Sequence, residues 1–145
     1  LPISTEGIAA QPGIVIPTGQ AANTGQSAYP FVASQPTRRA NSNSQGCDWL
    51  GIGGQVIGIT GEPLINYPVE VAGDQFLEVQ FSGSAPSYGA SGFEINVGNR
   101  PRQATFSIRL LGPTGDPLSD YILLETGADC DSNLTVIELR QVRPN

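Results

Sequence analysis

Gln75-Phe76-Leu77-Glu78-Val79-Gln80-Phe81 changes side at every residue. Phe76, Glu78 and Gln80 fall on one side of an extended chain, and Leu77, Val79 and Phe81 on the other. Thr105 to Leu110 does the same, with Phe106, Ile108 and Leu110 opposite Thr105, Ser107 and Arg109. A period of two argues strands with one buried face. The second of these extends to Ala104–Leu111, and working outward, further candidate strands run Gly54 to Ile59, Tyr67 to Ala72, Gly92 to Val97, Tyr121 to Glu125 and Leu134 to Val142. Gly61-Glu62-Pro63, Gly112 to Pro117 and the Ser/Gly run 82–92 are turn and loop signals between them. No segment carries a 3.6-residue period. The expected fold is all-β: an immunoglobulin-like or prealbumin-like antiparallel sandwich of about seven strands over residues 47–145.

One short pattern occurs twice. Gly61-Glu62-Pro63-Leu64 with Tyr67 matches Gly115-Asp116-Pro117-Leu118 with Tyr121. A duplicated hairpin unit would give this echo. The reading favoured here is one tight connection reached twice, because Gly supplies a positive φ and Pro pre-sets its own.

Composition shifts near Gly46. Residues 1–46 hold three charges, Glu6, Arg38 and Arg39, and their prolines 2, 12, 17, 30 and 36 forbid a long helix. Apolar residues come in islands: Leu1 and Ile3, Ile8, Ile14-Val15-Ile16, then Tyr29, Phe31 and Val32. The division expected is an extended N-terminal arm, 1–46, and a sandwich domain, 47–145. A segment of the arm's composition does not fold alone. Ordering it costs on the order of 1–2 kcal/mol per residue, and islands this small form no core. They suit pockets on another β-domain, where an extended segment adds as a strand. Ile14 and Ile16 would share one face of such a strand. Packing back on its own sandwich, or acting as a linker, are the alternatives for the arm.

The residue inventory excludes several chemistries. The 145 residues include no His, no Lys and no Met, and seven Arg face thirteen Asp and Glu for a net charge of −6. A Ser-His-Asp triad, a Schiff-base lysine, a P-loop lysine and a His-ligated metal cannot be built from this chain. Its negative charge gives no reason to bind nucleic acid. No apolar stretch reaches the roughly 18 residues of a membrane span. The sequence starts at Leu1, for which a cleaved secretory signal is the simplest cause, although a shortened chain would look the same. In an exported protein Cys47 and Cys130 pair as a disulfide; two buried thiols in a cytosolic domain are the alternative.

Gly54-Gln55-Val56, then Gly61-Glu62-Pro63-Leu64, then Val69-Glu70-Val71 resembles the opening of carboxypeptidase-regulatory-like and prealbumin-like β-sandwich modules. The wider frame resembles modules of secreted bacterial surface proteins. It runs Cys47-Asp48-Trp49-Leu50-Gly51, Tyr88 to Glu94, Pro117 to Asp120 and Cys130 to Leu134, and covers residues 47–142. The resemblance implies a secreted sandwich used for spacing, adhesion or display, and brings no catalytic residues.

Four further features bear on function. Asp129, Asp131 and Asn133 begin like a calcium loop, but Leu134 stands where Gly is needed and Arg140 where the bidentate Glu belongs. Acidic loop residues near a disulfide are the plainer reading, and neither a metal nor a cofactor is expected. Trp49, with Tyr88, could form a glycan-stacking platform; a core Trp packed on the disulfide is the favoured alternative. Glu62, Glu70, Glu78, Glu94, Glu125 and Glu138 could in principle pair for glycoside hydrolysis, yet most fall on solvent-side positions, so no enzyme is expected. Arg38 and Arg39 read as a processing site, a contact to an acidic neighbour, or a solvated linker pair. The function expected is a structural subunit of an extracellular or cell-surface filament, self-associating head to tail through the arm. The alternative is a carbohydrate-binding or adhesive module of a larger surface protein.

Overall fold

The structure is a computed structural model and describes residues 28–145. Among the described residues nine strands form two sheets: β1 Phe31–Ala33, β2 Thr37–Arg39, β3 Leu50–Ile57, β4 Pro68–Gly73, β5 Phe76–Phe81, β6 Gly92–Gly98, β7 Thr105–Leu110, β8 Ile122–Glu125 and β9 Leu134–Gln141. Sheet I has the order β1-β9-β3-β6, with β2 also paired to β9; sheet II has the order β5-β4-β7-β8. All seven expected strands are present, with ends shifted by up to a few residues. The sandwich is antiparallel except for one pair, since β3 and β9 run parallel from Gly51↔Leu134 to Ile57↔Arg140.

Alternate residues of both sheets meet in the middle. Ile52, Val56, Phe93, Ile95, Ile137 and Leu139 of sheet I lie against Val69, Val71, Phe106, Ile108, Leu110 and Leu124 of sheet II. Fully burying a side chain of this kind stabilises the fold by about 1.5–3 kcal/mol. The disulfide Cys47–Cys130 ties the approach to β3 to the turn before β9 across 83 residues of sequence. A loop of that length contributes about 4 kcal/mol in the chain-entropy model.

The expected boundary at residue 46 is corrected. Phe31 is 1% exposed and sits in the core, its ring 6.2 Å from that of Tyr67. β1 and β2 together form one interrupted edge strand on β9. Between Ala33↔Leu139 and Thr37↔Val136 it spends four steps against three on β9. At this irregularity Ser34 substitutes for a ladder partner. Its N–H donates to the Glu138 carbonyl at 2.8 Å, and its Oγ accepts from the Glu138 N–H at 2.9 Å. Arg38 and Arg39 belong to this strand and are not a linker. The Arg38 guanidinium donates to the Glu125 carbonyl at 3.1 Å and so joins β2 to β8 across the two sheets.

The sequence echo is the same turn made in each sheet. Gly58 N–H donates to Glu62 O at 2.7 Å and Leu64 N–H to Val56 O at 3.0 Å. In the second copy Gly112 N–H donates to Asp116 O at 2.7 Å and Leu118 N–H to Leu110 O at 2.8 Å. Gly61 and Gly115 both have φ +90°, a conformation that strains any residue with a Cβ. The same backbone requirement selects the same short pattern.

Candidate docking surface

The strand that opened the sequence reading packs with its apolar side outward. The β4–β5 hairpin pairs Gly73 with Phe76 across Asp74-Gln75, and Gln75 takes φ +58°. A two-residue connection fixes register. Phe76 is thereby turned inward against Phe106, ring centroids 5.8 Å apart. Glu78 and Gln80 follow it to the inner side and bond to each other at 2.8 Å. Period two then sends Leu77, Val79 and Phe81 to the outer face. Leu77 is 68% exposed and Phe81 50%.

The far edge of sheet II adds to this face. Leu123, 70% exposed, and Tyr121 lie outward on and beside β8. Between the two apolar edges runs a polar row. The Arg109 guanidinium donates to Glu70 Oε1 at 2.7 Å and lies 4.3 Å from the centre of the Tyr121 ring. The Tyr121 hydroxyl donates to the same carboxylate oxygen at 3.2 Å. A sheet face holding five large exposed apolar side chains has the composition of an interaction surface.

The opposite face, on sheet I, is covered by the chain itself. A Cβ at Gly51 would fall inside the Trp49 ring, and one at Gly53 against the Tyr88 ring. Trp49 is 3% exposed and lies on the outer side of β3, not among the residues between the sheets. The expected glycan platform of Trp49 and Tyr88 is therefore corrected, because Trp49 has no free face to offer. Tyr88 is half-buried and its hydroxyl donates to Glu94 Oε1 at 2.9 Å. Desolvation raises its pKa well above the usual tyrosine value, and the bond to the Glu94 carboxylate and that group's charge push it further the same way. Beside it lies a shallow cleft of about 370 Å³, with Gln55, Ser87, Thr37, Arg39 and Glu138 among its lining residues.

The remaining sites named from the sequence have structural roles. Asn133 is fully buried: its amide donates to the carbonyls of Gly46 at 3.0 Å and Trp49 at 3.1 Å, and its Oδ1 accepts from the Asn41 N–H at 2.8 Å. Asp129 caps the single turn Cys130–Ser132. The Asn133 side chain thus holds the disulfide-bearing loop in place. Burial of Asn133 and Thr135 likewise closes the Asn133-Leu134-Thr135 sequon to glycosylation. The glutamates are dispersed: Glu70 bonds Arg109 and Tyr121, Glu78 bonds Gln80, Glu94 bonds Tyr88, and Glu138 bonds Arg140. A hydrogen bond from the Thr60 hydroxyl to Glu62 is the main reason that this carboxyl titrates below its ordinary range.

Of the expected arm contacts, Ile3, Ile8, Ile14, Val15 and Ile16 lie outside the described residues. Phe31 and Val32 do not remain available to a neighbour as the sequence suggested, because Phe31 fills the chain's own core and Val32 pairs with Arg140 on β9. Tyr29 directly precedes this strand and is half-buried. The outer row of β5 was missed as a site because alternation alone does not say which side is buried. No protein-family model matches the chain, and no curated protein or solved structure matches it.

Proposed function

We propose that the protein is a structural subunit of an extracellular assembly, joined to its neighbours through the bare outer face of sheet II and the N-terminal segment. The observation that carries this reading is the outer row Leu77, Val79 and Phe81 on an edge strand. Exposed apolar residues on an unpaired edge are what soluble sandwiches ordinarily avoid, since such an edge pairs with other chains. The preceding segment supplies an apolar run at Ile14-Val15-Ile16. A disulfide is in keeping with an oxidising compartment, and among the described residues no helix is long and apolar enough to cross a membrane. The test is deletion of residues 1–27, stopping short of Phe31 so that the core is intact. Sedimentation and electron microscopy should show oligomers of the full chain that the shortened chain does not form. Oligomers unchanged by the deletion would rule out the arm as donor.

A second reading, carbohydrate binding, draws on the cleft beside Tyr88, where an aromatic ring adjoins amide, hydroxyl and carboxylate groups. Glycan-array binding that disappears in Tyr88→Ala would favour it over the assembly reading.

A further inference from the structure

We infer that the arm is received at the free edge of β5 in the next copy, with Ile14 and Ile16 placed on the outer row beside Leu77, Val79 and Phe81. This rests on the assembly reading, which puts the donor in a second copy; what it adds is the receiving edge and the direction in which subunits follow one another.

Among the described residues the sandwich has four edges, and three are interrupted or obstructed. The β1/β2 edge is broken at residues 34–36 into two three-residue strands, and Arg38 bonds it to the Glu125 carbonyl of β8. That contact also blocks part of β8, which is only four residues long. On β6, the loop that follows β5 bonds to the strand's first residue, the Gly83 and Ala85 N–H groups donating to the Gly92 carbonyl at 2.8 and 3.1 Å. β5 is six residues long, is hydrogen-bonded among the described residues on one side only, to β4, and packs beside β6. Its outward side chains are Leu77, Val79 and Phe81, two residues apart. Ile14 and Ile16 have the same spacing. Paired strands place facing residues on one side of the sheet, so both isoleucines would extend this row. Pro12 and Pro17 bracket the segment and limit the pairing to Gly13–Ile16.

Direction follows from where the chain enters. The Phe31 N–H donates to the Leu118 carbonyl at 3.1 Å, on the β8 side of sheet II, whereas β5 is the opposite edge. The described chain therefore begins on the side of the subunit away from the acceptor edge. Donation in this head-to-tail sense continues as an open chain wherever its rotation does not close a ring. The eleven residues 17–27 between Ile16 and the described chain reach about 36 Å when extended, enough to bridge to a neighbouring sandwich.

The experiment mixes two full-length variants, Ile16→Cys and Val79→Cys, and treats them with a short bis-maleimide. The expected result is a cross-linked species containing one copy of each variant, identified by mass spectrometry. Phe81→Arg is made in parallel; that side chain is exposed, so folding by circular dichroism should be unchanged. Its charge on the receiving edge should weaken self-association at least about tenfold. Oligomers that form without the cross-link and survive Phe81→Arg would overturn the β5 assignment and leave the assembly reading standing. The double variant Ile16→Cys/Val79→Cys, diluted into unsubstituted chain, is treated in parallel; a cross-link within it but none between the two single variants would overturn the transfer between copies. Absence of any oligomer would remove the assembly reading and this inference together.

Discussion

The outer face of sheet I carries Trp49, Leu134 and Tyr88, and the outer face of sheet II carries Leu77, Val79, Phe81, Tyr121 and Leu123. Both hold large apolar or aromatic side chains on what would ordinarily be the solvated side of a strand. They differ in what the neighbouring strand offers. On sheet I, β3 presents Gly51 and Gly53, and the two rings lie down on bare backbone. On sheet II the central strands present Glu70, Ala72, Ser107 and Arg109. A charged row stands there, and the apolar edges on either side have nothing of their own to lie on. An apolar side chain outside the core thus becomes cover or contact surface according to whether small residues flank it.

That contrast can be broken or sharpened by substitution. The largest effect is expected at Trp49→Ala. It uncovers Gly51 and should cost about 3–5 kcal/mol, read as a lower urea midpoint with the slope unchanged. If the loss is under about 1 kcal/mol, the face of sheet I is not sealed as described. Next is Tyr88→Phe, which keeps the ring over Gly53 but removes the bond to Glu94; about 1 kcal/mol should be lost. Tyr88 also gives this face a pH signature. Its folded pKa lies above its ordinary value of 10. The associated stability is complete below pH 10 and is lost as pH rises through the folded value. Ultraviolet titration of the phenols should show a late-ionising tyrosine that Tyr88→Phe removes. Thr135→Val should act in the opposite direction. Among the described residues the Thr135 hydroxyl is buried without a hydrogen-bond partner, so an isosteric methyl should raise stability by about 1 kcal/mol in the same unfolding assay. The smallest effect on folding is expected at Leu77→Ser and Leu123→Ser. Each should move stability by less than about 0.5 kcal/mol while lowering binding of a hydrophobic dye. A large loss of stability at either position would mean that the face of sheet II is not bare.

Much of the architecture is legible without coordinates. Thr105 to Leu110 is read correctly to within a residue, and its buried side is Phe106, Ile108 and Leu110. With two cysteines in the chain, one intramolecular pairing exists to be made. The paired Gly-acid-Pro-Leu turns are visible because a positive φ restricts residue choice so strongly. The candidate site is much less legible. Gln75 to Phe81 has as clean an alternation as any strand in the chain, yet its apolar side faces out, since Phe76 and the hairpin decide the phase. Phe31 looked like a residue offered to a partner because Pro30 and Pro36 flank a run of only three apolar positions. Nothing local shows that β9, more than a hundred residues later, has an open edge for it.

By itself, the sequence determined the period of the strands, the turns and the residues available for chemistry. All three are local properties, set by sterics around each Cα and by which functional groups are present at all. Only the tertiary structure decided that β9 lies between β1 and β3, that Trp49 covers Gly51, and that β5 turns its apolar row outward. These depend on which strand lies beside which, and a strand's two sides are equivalent until a neighbour and a fixed register make one of them the inside.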